Sequence, residues 1–135
     1  MKGKFDLETK FDSVPSENLF ISEMKLAELK FGVENSEYPE KNKKALNNFL
    51  TGFQILPIFH SLDLYGKEKA RLRKAGTPID DFDLLIGVTY VTHNLIMITN
   101  NSNHFKRING IELEDWTTEN NQPLLNAFLF RFVNK

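Results

Sequence analysis

A chain of 135 residues with 41% hydrophobic and 26% charged composition is long enough for one domain around one buried core, and no apolar run nears the ~20 residues of a membrane-spanning helix. The absence of cysteine excludes disulfide scaffolds and thiol catalysis, and no apolar stretch follows the basic opening Met-Lys-Gly-Lys, so a cytoplasmic protein is expected. A net charge of -1 excludes indiscriminate nucleic-acid binding through a global basic field, leaving local patches to carry any such contact.

Residues 5–13 suggest a short helix, broken by Pro15 and Ser16. Residues 18–21 form a short apolar run that reads as a buried strand, and Ser22 is placed to cap a helix over 23–34. Pro39 suits the first turn of a second helix, expected to end near Gly52. The next strand, 54–58, contains Pro57, which donates no ladder hydrogen bond and so confines the strand to an edge or to a few residues. A helix over 62–75 should stop at Gly76, with Pro78 beyond. The helix predicted over 80–94 is apolar on every side from Leu84 to Val88 and is therefore buried. Residues 95–99 are the clearest strand, and 111–113 a weaker one. Helices alternating with short apolar strands indicate an α/β fold with a mostly parallel sheet covered on both faces. Beyond residue 116 a polar stretch leads into the aromatic segment 128–133, which has strand propensity.

Several carboxylates stand in apolar settings. Glu28 shares a helical face with Met24, Ala27 and Phe31, where an unpaired charge costs several kcal/mol unless a cation offsets it. A metal ion and a buried salt bridge both answer that need. Asp80, Asp81 and Asp83 open the most buried helix; one cap accounts for one aspartate, and the mutual repulsion of three implies that at least one faces a cation. Asp83 lies one turn before Gly87, where a missing side chain permits close packing against a neighbouring strand. Thr99-Asn100-Asn101 follows the best strand, at the sheet end where ligands of open parallel sheets bind. Oxygen ligands converging there suit Mg²⁺ or Mn²⁺.

Other features point to no chemistry. His60, His93 and His104 lack zinc-motif spacing; His93 reads as a cap compensating a helix dipole and His104 as a surface or loop residue. There is no phosphate-cradling glycine loop and no nucleophile elbow. The basic run Lys67, Lys69, Arg71, Arg73, Lys74 reads first as a solvated helix face.

Four segments in order, Ile21-Ser22-Glu23 with Leu26-Ala27-Glu28-Leu29-Lys30-Phe31-Gly32, Gly76 to Gly87 through Asp80-Asp81-Phe82-Asp83, Ile98-Thr99-Asn100-Asn101 with His104-Phe105, and Leu113-Glu114-Asp115-Trp116, resemble VapC-type PIN-domain toxins. The resemblance implies a three-layer α/β/α fold over 1–116 with a tail over 117–135, and Mg²⁺-dependent (or Mn²⁺-dependent) endonucleolytic cleavage of RNA. It also implies control by a cognate antitoxin and assembly as a homodimer. On it, Glu28, Asp83 and Asn101 are the catalytic and metal-binding residues and Ser22, Asp81 and Thr99 support them. Lys69, Arg71 and Arg73 would then lead RNA to the site.

The family opens with a strand ending in an Asp-Thr-Asn-like motif, and Met1 to Phe5 here aligns just after it. A truncated start, a degenerate toxin, and a tail strand over 128–133 filling the central place are three open accounts. A catalytically inactive module that binds an antitoxin peptide is the alternative function. Which RNA is cut is not written in these residues.

Overall fold

A computed structural model describes residues 19–99 and 102–115 together with a strand at 130–132. The helix expected over 5–13 lies outside the described residues. In chain order, strand β1 (Phe20–Ser22) feeds directly into helix α1 (Glu23–Glu34), followed by α2 (Pro39–Phe49), β2 (Gln54–Leu56) and α3 (Leu62–Lys74). Then come α4 (Asp81–Thr92), β3 (Ile96–Ile98), the single turn α5 (Ser102–Phe105), β4 (Leu113–Glu114) and β5 (Phe130–Phe132).

The boundaries follow from local chemistry. Ser22 caps α1, its hydroxyl oxygen accepting from the Lys25 N–H at 3.0 Å, a contact worth about 1 kcal/mol. Pro39 opens α2. Gly76, at φ 77°, turns the chain out of α3 in the left-handed region that a side chain would strain. Asp80 caps α4 by accepting from the N–H groups of Phe82 and Asp83.

Among the described residues five strands form one sheet in the order β2-β1-β5-β3-β4. β1 pairs parallel with β2, and β3 parallel with β4. β5 lies between the two pairs, antiparallel to both, with Arg131 in register with Phe20 on one side and Met97 on the other. Thus the segment with strand propensity near the chain's end holds the centre of the sheet, and the sheet is mixed there. β2 is an edge strand, and it is short, ending just before Pro57.

Alternation along the strands builds two cores. Met97 joins the larger one, with Leu72 of α3 and Leu84, Ile86, Val88 and Tyr90 of α4, whereas Ile21 and Ile98 join a second with Leu29 of α1 and Leu46 of α2. The sheet therefore has a helix layer on each face, which gives three layers. Among the described residues no helix is long and apolar enough to cross a membrane.

Gly87 sets the packing at one end. Its neighbours are Phe105 and Ile108, so the close approach is to the segment after β3 and not to a strand; a methyl at residue 87 would overlap Ile108 Cδ1.

Candidate active site

The start of α1 packs on α4 through a buried contact: the Ser22 N–H donates to the Tyr90 hydroxyl at 3.2 Å, and both residues are fully buried. Ser22 thus caps α1 and anchors its start to α4. Six residues on, Glu28 does not face an apolar wall. Phe31, on the same face, is 69% exposed, and the half-exposed Glu28 carboxylate takes the Lys25 ammonium at 3.3 Å. The cation that its position demands is supplied by a lysine whose own side chain is 10% exposed.

The three aspartates of α4 are satisfied separately. Asp80 is spent on the cap. Asp81 is exposed and accepts from Lys69 and from the Tyr65 hydroxyl, each at 3.0 Å; Lys69 first and Tyr65 second hold its carboxyl below the usual carboxylate range. Asp83, half-buried, lies with Oδ2 2.9 Å from His104 Nε2. Asp81 therefore belongs to α3 contacts, and Asp83 is the member turned to the segment after β3. Thr99 is buried at the end of that strand, its N–H bonded to the Glu114 carbonyl at 3.0 Å. Asn101 lies outside the described residues.

Of the basic residues proposed to guide RNA, two are paired with carboxylates of the chain. Lys69 is tied to Asp81. Arg71 binds the buried Glu68 carboxylate through Nε (3.0 Å) and Nη2 (2.7 Å), and Nη2 also donates to the Arg107 carbonyl at 2.7 Å. Arg73 is exposed and lines a cleft of about 300 Å³ with Lys69, Leu72, Pro78, Ile79 and Leu84.

Sequence reasoning missed Lys25, Glu68, Tyr90 and His104. Glu68 had a readable signal, an acidic residue three before Arg71 on one helix. Lys25 had the same signal, three before Glu28, whereas Tyr90 and His104 make their contacts with residues distant in sequence. His93, expected to serve as a cationic cap, is held below the ordinary histidine range by burial first and by His60 second, so it is neutral at neutral pH. An unfolded chain binds that proton more readily, so His93 takes stability away as pH falls below about 6.5. His93→Gln is expected to flatten the acid limb of thermal melts recorded between pH 7 and pH 5; an unchanged limb would count against it.

Donor chemistry at Glu28 and Asp83 fits a hard divalent cation: carboxylate oxygens, half-buried, each already drawing a protein group, Lys25 or His104, to its charge. Among the described residues no three acidic or histidine side chains form a metal-holding group.

A family described as PIN domain matches residues 5–111 of the chain. The tRNA(fMet)-specific endonuclease VapC of Shigella flexneri is 33% identical over 98 residues, which is 72% of this chain and 74% of that protein. Ribonuclease VapC2 of Rickettsia felis is 36% identical over 97 residues, 71% and 72% of the two chains. Among solved structures, DNA-bound VapBC from Salmonella typhimurium superposes with a TM-score of 0.69 at 34% identity, covering 72% of this chain and 74% of that one. VapBC-1 from nontypeable Haemophilus influenzae superposes with a TM-score of 0.74 at 29% identity, covering 85% and 87%.

Proposed function

Because the chain belongs to the PIN-domain family, among relatives of the VapC type, we propose that it is the toxin of a toxin–antitoxin pair, an endoribonuclease that uses Mg²⁺ or Mn²⁺. The observation that carries this reading is the placement of Asp83: a half-buried carboxylate at the first turn of α4, set against His104 from the segment after β3. The named ribonucleases to which the chain is similar, and the toxin–antitoxin complexes whose fold it shares, support the substrate class and the partner.

When bound, a divalent ion supplies a nucleophilic water at neutral pH and offsets charge on the phosphodiester. Asp83 and Glu28 would hold it, with Asn101 as the expected third ligand; its amide is neutral and binds more weakly than a carboxylate would. Ser22, through the Tyr90 contact, fixes the start of the helix that carries Glu28. Lys25 offsets the charge of Glu28. Arg73, exposed on the rim of its cleft, is the basic residue best placed to touch RNA phosphate, with Lys69 and Arg71 shaping the surface behind it. A homodimer is part of the same reading.

Chelation is the direct test. EDTA is expected to abolish cleavage of RNA by the purified chain and Mn²⁺ or Mg²⁺ to restore it, followed on denaturing gels. Cleavage that persists in EDTA would reject the metal-dependent reading. A second reading, a catalytically inactive module that binds an antitoxin peptide, is favoured by the Lys25 ammonium already on Glu28. Absence of cleavage at saturating metal, with antitoxin binding retained, would select it.

A further inference from the structure

His104 sits on a segment that the fold bolts down from three sides. The missing side chain at Gly87 admits Phe105 and Ile108 against α4. The Arg107 guanidinium donates through Nη1 to the carbonyls of Thr77 (3.1 Å) and Pro78 (3.0 Å), tying the segment to the turn before α4. From the other side, α3 reaches across: Arg71 donates to the Arg107 carbonyl, and the Asn109 N–H donates to Glu68 at 3.0 Å. These contacts leave the imidazole little freedom to choose its place. It arrives with Nε2 2.9 Å from Asp83 Oδ2 and Nδ1 3.5 Å from Arg107 Nη2.

Arg107 has only N–H groups to offer, so Nδ1 must be the accepting nitrogen and the proton of the neutral ring belongs on Nε2, facing Asp83. The contact is short but off-line: Nε2 is buried and forms no aligned hydrogen bond. A rotation of the Asp83 carboxylate about its own side chain is the motion that would align it. Groups that hold a metal-binding carboxylate from behind commonly set its affinity for the ion, and their removal costs about 10–100-fold.

We propose that His104 is a positioning residue for Asp83, an N–H donor delivered by the Arg107-anchored segment that selects the carboxylate orientation able to bind a divalent cation. This rests on the nuclease reading. It adds a residue, His104, and an anchor, Arg107, that act through Asp83 without touching the substrate.

The test uses the full chain in four forms: wild type, His104→Ala, His104→Gln and Asp83→Asn. Mn²⁺ affinity is read by electron paramagnetic resonance, RNA cleavage as separate kcat and KM, and folding by thermal melts. His104→Ala is expected to weaken Mn²⁺ binding about 10–100-fold and to lower kcat, with KM for RNA unchanged. His104→Gln, whose amide N–H donates from nearly the same place, is expected to recover most of the affinity. His104→Leu replaces the alanine variant if the latter melts early. Affinity unchanged in His104→Ala or His104→Leu would overturn the positioning role while leaving the nuclease reading intact. A loss that glutamine does not recover would assign the ring nitrogen to the ion itself and also overturn it. Wild-type affinity no higher than that of Asp83→Asn would overturn the metal site, and the role of His104 with it.

Discussion

Asp83→Asn is expected to abolish RNA cleavage, by at least about 100-fold, while leaving the protein folded. The magnitude follows from the task assigned to the carboxylate: metal-assisted hydrolysis draws several kcal/mol of transition-state stabilisation from the ion, and each 1.36 kcal/mol is tenfold in rate. Fold retention follows from the surroundings. The α4 cap is Asp80, not Asp83, and asparagine keeps the shape of the side chain beside His104. What folding loses is a first-turn negative charge at a helix N-terminus, worth about 0.3–1 kcal/mol. Cleavage assays with and without Mn²⁺, run beside thermal melts, check both halves. Undiminished cleavage by a folded variant would remove Asp83 from the chemistry. Loss of cleavage with an early melt would show a structural role instead.

Glu68→Ala is expected to give the largest stability effect among the charged residues. The carboxylate is 6% exposed and accepts from Arg71 Nε and Nη2 and from the Asn109 N–H. Removing one partner of a fully buried pair costs about 3–5 kcal/mol, and of an exposed one under about 1. Arg71 is 39% exposed and recovers some hydration, so a loss of about 2 kcal/mol, or roughly 5–10 °C in melting temperature, is the expected result. The Arg71 hydrogen bonds, more than any other cause, hold the Glu68 carboxyl below its ordinary 4.5. A lowered carboxyl pKa gives stability that is present above the unfolded value and lost as pH falls through the folded one. The wild type should therefore lose more stability than Glu68→Ala on acidification below about 4.5. Melts across that range decide it, and parallel acid profiles would show the pair to be idle.

Where structure follows from the chain's own neighbours, the sequence was legible. Helix α1 starts and stops where Ser22 and its composition place it, and α3 turns out at Gly76. That β2 is short or lies at an edge was readable from one proline, and it is both. Less legible was anything that depends on which surfaces meet. Glu28 looked buried because Met24, Ala27 and Phe31 share its face, yet only Met24 packs on the core there, Ala27 and Phe31 are exposed, and Lys25 is the residue packed inward. Gly87 announced a close approach without naming Ile108 as the neighbour. Lys69 and Arg71 read as a solvated charge run, and they stay largely exposed while pairing with Asp81 and Glu68. His104 read only as a surface or loop residue within a resembling segment, because its contact with Asp83 depends on Arg107 fixing that segment against α3 and α4. Periodicity reports what one element prefers, and these contacts belong to pairs of elements far apart along the chain.

The central place of β5 has a consequence for how the molecule comes to be made. Its register joins Arg131 to Phe20, a separation that makes the seam the most expensive loop of the sheet to close and delays it relative to nearer pairings. During synthesis the domain's earlier residues emerge first, so Glu28 on α1 and Asp83 on α4 leave the ribosome before β5, the described strand between the two parallel pairs, has been made. The sheet beneath the candidate nuclease site closes only after every residue of that site has been made.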